Sequence, residues 1–349
     1  MDVSTASDAA RTVDRDGDDD DVLGNGDVRR RGEGELSASD AARLAKKLRD
    51  NIGAVFLGQA DTVDLLVVSL LARGHALVED VPGVGKTTLA KALAKSIDGV
   101  FSRVQLTPDL LPADLLGVGV YNNASGDFDF KPGPIFANIV VADEVNRTTP
   151  RTQSALLEAM AEGQVSVENA TRPLPRPFML IATQNPFEFE GTYVLPENQL
   201  DRFVVKIAVG YPSRETERRI LVQRPGEGPL DRLEPVLSTH DVVAMQDATL
   251  RVRVEAAVLD YLLDLVGRTR DDDRFHLGVS PRGSLALLGV ARARALTEGR
   301  DYVVPDDIKR MFLPTCAHRV ITRTYLHNGD AEAGRQVLQE ILDATPTPG

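Results

Sequence analysis

The chain of 349 residues has no tryptophan, one cysteine and only 5% aromatic residues. A single cysteine, Cys316, excludes an intrachain disulfide framework and fits a reducing, cytoplasmic setting. Its helical surroundings predict a small buried hydrophobe. The shortage of aromatics removes the stacking platform on which single-stranded nucleic acid is held. A basic excess is also missing. The net charge of −12 disfavours nucleic acid as the main partner, because such binding needs a basic face. No apolar run approaches the roughly 18–20 residues that cross a bilayer, so no membrane insertion is expected. The first residues are acidic and polar, unlike a signal peptide. The five histidines lack metal-ligand spacing and read as structural or exposed. No N-K-x-D element of the kind that reads guanine is present.

What is present is ordinary for a soluble globular protein: 42% hydrophobic and 26% charged residues, in a chain long enough for two domains. Residues 1–36 carry the run Asp18-Asp19-Asp20-Asp21 and then Arg29-Arg30-Arg31. Too little apolar surface exists there to offset ordering entropy, so a disordered acidic tail is predicted, as solvated chain or as a docking arm. Ser39 and Asp40 are placed to cap a first helix, in which Ala41, Leu44, Ala45, Leu48 and Ile52 recur at helical spacing. Val63, Leu66, Val67, Leu70 and Leu71 mark a second.

Short apolar runs then alternate with helices. This predicts an α/β fold, a parallel five-stranded sheet in a three-layer αβα core, with strands near 75–79, 102–106, 139–142, 178–183 and 203–207. Most of the runs are apolar on both faces, as in strands covered by helices on each side. Two hairpins, turning near 122–127 and 168–171, are expected as insertions. Beyond Gly210 the pattern is helical, near 214–223, 240–248, 255–268, 281–298 and 305–320, with no convincing strand. The predicted organisation is a tail at 1–36, an αβα core at 37–210, a small helical lid at 211–335 and a loose tail at 336–349.

Chemistry concentrates in a few places. Gly83-Val84-Gly85-Lys86-Thr87-Thr88 lies between the apolar run Ala76-Leu77-Val78 and a helix. Strand, glycine loop and helix N-terminus make a phosphate cradle, with backbone N–H groups and the helix dipole both facing the anion. Lys86 would reach the β- and γ-phosphates, and the Thr87 hydroxyl would take one Mg²⁺ position. The usual G-x-x-x-x-G-K-S/T pattern has a glycine where this chain has Asp80.

Ile139-Val140-Val141-Ala142 ends in Asp143-Glu144. A buried strand ending so brings two acids to the phosphate side of a parallel sheet. Asp143 suits Mg²⁺, mostly through water, and Glu144 suits activation of the attacking water. Asn185, after another apolar strand, could hydrogen-bond the γ-phosphate and that water, although Asn185-Pro186 also reads as a turn. Arg202 in Leu200-Asp201-Arg202-Phe203 could meet transition-state charge, or pair with Asp201. Arg282, in Ser280-Pro281-Arg282 at a helix start, could touch the γ-phosphate or lie solvated.

These stretches resemble the MoxR family of AAA+ ATPases, over roughly residues 40–325. The resemblance rests on 79–87, 142–147, 153–160, 182–186, 191–197 with 199–203, and 280–282, all in order. It treats Asp80 as ordinary family usage. It implies ATP and Mg²⁺ as cofactors, Lys86 and Thr87 as Walker A, Asp143 and Glu144 as Walker B, and Asn185 as sensor 1. It implies Arg202 as an arginine finger entering the next subunit's site, Arg282 as sensor 2 and Arg147 as a further intersubunit arginine. Gln59 would lie on the adenine side, and Gly191 and Thr192 would be structural. The hairpins resemble the helix-2 insert and the pre-sensor-1 hairpin of this branch.

A finger acting in trans implies a ring-forming homo-oligomer, and the resemblance implies a hexamer. The family also implies chaperone-like action on a protein client (assembly, maturation or metal loading) and a partner carrying a von Willebrand factor A domain. A magnesium-chelatase-like subunit or a DNA-acting motor shares the inserted hairpins and is the alternative. A non-hydrolysing regulatory module would need a degraded site, which this chain does not show.

Overall fold

A computed structural model describes residues 35–81, 83–167, 170–185, 193, 195–222, 229–323 and 331–348. The acidic run, Arg29–Arg31, Pro82, the hairpin turn at 168–169, Gly191 and Thr192 lie outside the described residues.

Two helices come first, α1 (Ala38–Val55) and α2 (Ala60–Leu71), then β1 (Ala76–Glu79), α3 (Lys86–Lys95), β2 (Ile97–Asp98) and β3 (Phe101–Gln105). Next come α4 (Pro112–Leu116), the strands β4 (Gly117–Asn122) and β5 (Asp127–Pro132), and β6 (Ile139–Asp143). Then follow α5 (Pro150–Glu162), β7 (Gln164–Val167), β8 (Ala170–Pro173), β9 (Met179–Gln184), α6 (Glu197–Leu200) and β10 (Val205–Ile207). The remainder holds α7 (Arg214–Val222), β11 (Leu237–Ser238), α8 (Thr239–Arg251), α9 (Ala256–Asp271) and β12 (Phe275–Leu277). It closes with α10 (Pro281–Thr297), α11 (Pro305–Cys316), β13 (Ile321–Thr322) and α12 (Ala331–Ala344).

The five expected strands form one sheet in the order β10-β1-β9-β6-β3, every neighbouring pair parallel. Successive side chains leave a strand on opposite faces, and here both faces are buried. Ile139 and Val141 of β6 join the core that includes α1, α2 and α3, whereas Val140 and Ala142 join the core built with α5. Met179 and Ile181 alternate with Leu180 and Ala182 in β9 in the same way. The first core runs on without a break into the helical part, through Val242, Leu265, Leu287 and Phe312. There α10 packs on α1 and α2, α8 on α2, and α11 against β10.

Both insertions are antiparallel hairpins, β4–β5 and β7–β8. They touch, since the Arg172 guanidinium lies 3.9 Å above the ring of Phe130. Helix starts follow local chemistry. Ser280 Oγ accepts from Gly283 N at 3.0 Å, and Pro281 and Pro305 occupy first-turn positions where no N–H is needed.

Three local expectations change. Ser37, not Ser39 or Asp40, caps α1, accepting from Asp40 N at 3.1 Å. Short strands occur beyond Gly210: β11 pairs with β2, and β12 with β13. Pieces of two or three residues carry too little alternation to be read. The range 336–349, read as a loose tail, is mostly inside α12, whose Val337, Leu338 and Ile341 are buried. Even Thr345 is buried, donating to Ile341 O at 2.7 Å. The expected helical part is present, and it lies against α1 and α2 because its apolar faces find their partners there. Among the described residues no helix is long and apolar enough to cross a membrane.

Cys316 is fully buried in α11, and burial pushes its thiol up to about 12. His75 is buried between β9 and α5. Its Nε2 donates to Met160 O at 3.0 Å and its Nδ1 accepts from Leu180 N at 2.9 Å. Burial outweighs the Met160 bond and lowers its pKa to about 4 from 6.5. Burial lowers His318 as well, with the Arg319 charge adding to it.

The unfolded chain therefore binds a proton at His75 before the native chain does, so this contribution is complete above about pH 6.5 and is lost as pH falls toward 4. The expected loss over that window is about 3 kcal/mol. Urea unfolding at several pH values checks it, with His75→Gln flattening the slope relative to wild type. An unchanged slope would contradict the assignment.

Candidate nucleotide site

The turn from β1 into α3 is shaped by glycine. Gly83 (φ 84°) and Gly85 (φ 97°) are left-handed, a region closed to most side chains, and Gly85 precedes the first turn of α3. Asp80 needs no such freedom, because the only described non-glycine residues with positive φ are Arg73 and Glu144.

Lys86 Nζ donates to the carbonyls of Asp80 and Gln184, the latter at 3.1 Å. It thus spans the ends of the adjacent strands β1 and β9. One residue on, Thr87 Oγ1 lies 3.5 Å from Asp143 Oδ1. The buried Asp143 carboxylate also accepts from Thr183 Oγ1 at 3.1 Å, and its second oxygen accepts from Arg103 Nε at 2.6 Å. Glu144 follows in a left-handed conformation (φ 61°, ψ 52°). Such a conformation costs roughly 1–3 kcal/mol outside glycine and tends to persist where function needs it. Its N–H donates to Thr183 Oγ1 at 3.1 Å. Its Oε2 accepts from Gln105 Nε2 at 2.7 Å and lies 3.2 Å from Arg147 Nε. Asn185 is buried beside this group, its carbonyl accepting from Asn146 Nδ2 at 3.4 Å.

On the other side of the loop is a cavity of about 740 Å³ whose walls include Phe56, Gln59, Val84, Thr88, Val209 and Tyr211. Gly83 and Gly85 are among its lining residues, whereas the Lys86 side chain turns to the carbonyls of Asp80 and Gln184 and that of Thr87 to Asp143. The size and mostly apolar lining suit a small-molecule ring system. The Thr87 hydroxyl and Asp143 carboxylate are hard oxygen donors of the kind Mg²⁺ takes. The residues present fit both groups of a nucleotide with its cation.

Arg202 and Arg282 are elsewhere. Arg202 Nη1 donates to Leu157 O at 2.9 Å. Arg282 Nη1 is 3.8 Å from Asp201 Oδ2, so both arginines flank Asp201 and neither lines the cavity. Asp201 pairs not with Arg202 but with the buried Arg319, whose Nε donates at 2.8 Å, and accepts from Ser280 Oγ at 2.9 Å.

Sequence reading missed Arg103, Gln105 and Thr183. A signal existed for two of them. In β3 the polar Arg103 and Gln105 alternate with Val104, which faces the core. Period two puts both on one face, toward Asp143 and Glu144.

Residues 75–205 match the family described as "ATPase family associated with various cellular activities (AAA)", and residues 267–341 match the AAA lid domain. The chain is 47% identical to the Bacillus subtilis protein YeaC, over 88% of this chain and 96% of that one. It is 41% identical to Chaperone MoxR1 of Mycobacterium tuberculosis, over 84% of this chain and 80% of that one. A crystal structure of an ATPase candidate from Cytophaga hutchinsonii superposes with a TM-score of 0.80 at 36% identity, covering 89% of this chain and 97% of that one. Glycine loop, paired acids, five-stranded parallel sheet and helical domain thus agree with these likenesses, and the chain belongs to the MoxR family of AAA+ ATPases.

Proposed function

We propose that this protein hydrolyses ATP with Mg²⁺ as a ring-forming, chaperone-like ATPase acting on protein clients. The reading is carried by one observation. Lys86, Thr87, Asp143, Thr183 and Glu144 form a connected set at the carboxyl ends of β1, β6 and β9. Gly83, Val84, Gly85 and Thr88 would cradle phosphates, Lys86 would neutralise them, and Gln59 would border the base. Thr87 and Asp143 would hold Mg²⁺, which polarises the phosphoryl oxygens when bound. Glu144 would take a proton from the attacking water, with Asn185 orienting that water.

Arg202 and Arg282 are read as acting on the neighbouring subunit's site, and Arg147 as an intersubunit contact. Support for the first two is that Arg282 lies by Asp201 and Arg202 binds Leu157 O, neither being among the residues that line the cavity, while Arg147 rests on the family alone. The client would be met by the inserted hairpins, whose exposed Tyr121 and Phe128 stack edge to face at 5.3 Å. A hexamer, a von Willebrand factor A partner and a cytoplasmic location complete the proposal, on the strength of the family. Roles in assembly, maturation or metal loading belong to the same reading.

The test is Mg²⁺-dependent ATP turnover by the purified protein, with Lys86→Ala beside it. Loss of the Lys86 charge is expected to weaken ATP binding roughly 10–100-fold. Absence of turnover at every protein concentration would refute hydrolysis.

A further inference from the structure

The residue that departs from the phosphate-loop pattern has a place of its own. We propose that Asp80 is a positioning residue that clamps the glycine loop to the hinge at Gly210, setting the spacing of two walls of the nucleotide cavity. The proposal rests on the nucleotide reading above.

Every polar group of Asp80 is engaged. Its N–H donates to Gln184 O at 3.4 Å, and its carbonyl accepts from Lys86 Nζ. Its carboxylate accepts from Val81 N at 2.7 Å through Oδ1 and from Gly210 N at 2.6 Å through Oδ2. The Val81 bond is local. The Gly210 bond joins points 130 residues apart, the start of the loop and the segment between β10 and α7. Gly210 is itself left-handed, at φ 72°.

Both ends of this bond adjoin the cavity. Gly83 and Gly85, which follow Asp80 in the loop, line it, and so do Gly210 and Tyr211. A glycine at position 80 would have no group to make this link. The geometry also answers a charge problem. A carboxylate beside a phosphate cradle repels the anion, but here each oxygen accepts a backbone N–H, one of them from Gly210, which stabilises the charge in place. Because Lys86 holds the carbonyl of the same residue, displacement of Asp80 would move the lysine's anchor and the hinge together.

Hydrogen–deuterium exchange at the Gly210 amide in the full chain, without nucleotide, reads the clamp directly. In Asp80→Gly it is expected to exchange about tenfold faster than in wild type. Release of mant-ADP from the same variant is expected to be about tenfold faster, with the far-UV circular dichroism spectrum unchanged. A general loss of structure would change that spectrum as well. Asp80→Asn keeps size and one acceptor, and is expected to lie between the two; if the glycine variant does not fold, this one decides by the same exchange measurement. Gly210 exchange within about twofold of wild type in the folded variants would overturn the clamp. If wild type fails to bind mant-ADP, the nucleotide reading falls and with it the cavity role of Asp80, whereas normal binding with unchanged variants refutes the clamp alone.

Discussion

Changing Glu144 to glutamine is expected to lower ATP turnover by about 10²–10⁴-fold while leaving ATP affinity nearly unchanged. The side chain is well placed for the comparison. Its Oε2 accepts from Gln105 and faces Arg147, and its left-handed backbone is tied to Thr183. Glutamine preserves shape and polarity but has no lone pair basic enough to take a proton from water. Nothing in the cavity wall or the glycine loop is touched, so the ground-state complex should persist. Equilibrium binding of a fluorescent ATP analogue and steady-state turnover separate the two effects. A fall in turnover of less than about tenfold would remove Glu144 from the role of base.

Arg202→Ala is expected to cost about 10³-fold or more in turnover, the scale of an arginine that stabilises phosphoryl-transfer charge. In its own chain Arg202 binds Leu157 O and is not among the residues lining the nucleotide cavity, in keeping with the proposed action on a neighbour. This has a sharper consequence. Arg202→Ala and Glu144→Gln each fail alone, but mixed in one ring they should regain activity. A subunit with intact Glu144 and mutant Arg202 can then lie beside one that still supplies Arg202. Random mixing is expected to restore up to about a quarter of wild-type sites when each neighbour is drawn independently from equal amounts. Mixed protein that stays as inactive as either parent would refute action in trans. Arg282, which flanks the same Asp201, is expected to follow Arg202 in this complementation.

Much of this was legible beforehand because it is local. The runs ending at Glu79, Asp143 and Gln184 are apolar at every position or nearly so, which marks strands buried on both faces. The loop from Gly83 to Lys86 could be read because left-handed backbone narrows the choice of residue. Other features escaped for reasons of range. Two-residue strands such as β11 have no period to detect. Burial of α12 depends on the helices α9 and α11 that it packs against. The lid's resting place follows from the apolar faces of α1 and α2, which lie far from it in sequence.

The amino-acid sequence alone thus determined the order of the five sheet strands and of most longer helices, the glycine loop, the acids at the end of β6 and the family. These are written in side-chain periods of 2 and 3.6 residues and in backbone angles that few residues accept. Tertiary structure alone decided which groups meet. Strand register brings Arg103 to Asp143 and Gln105 to Glu144. The crossing from β10 to α7 brings Gly210 to Asp80, and the packing of α5 beside β9 makes a neutral bridge of His75. Such partners are separated by 39 to 130 residues, and no local pattern carries the distance between them.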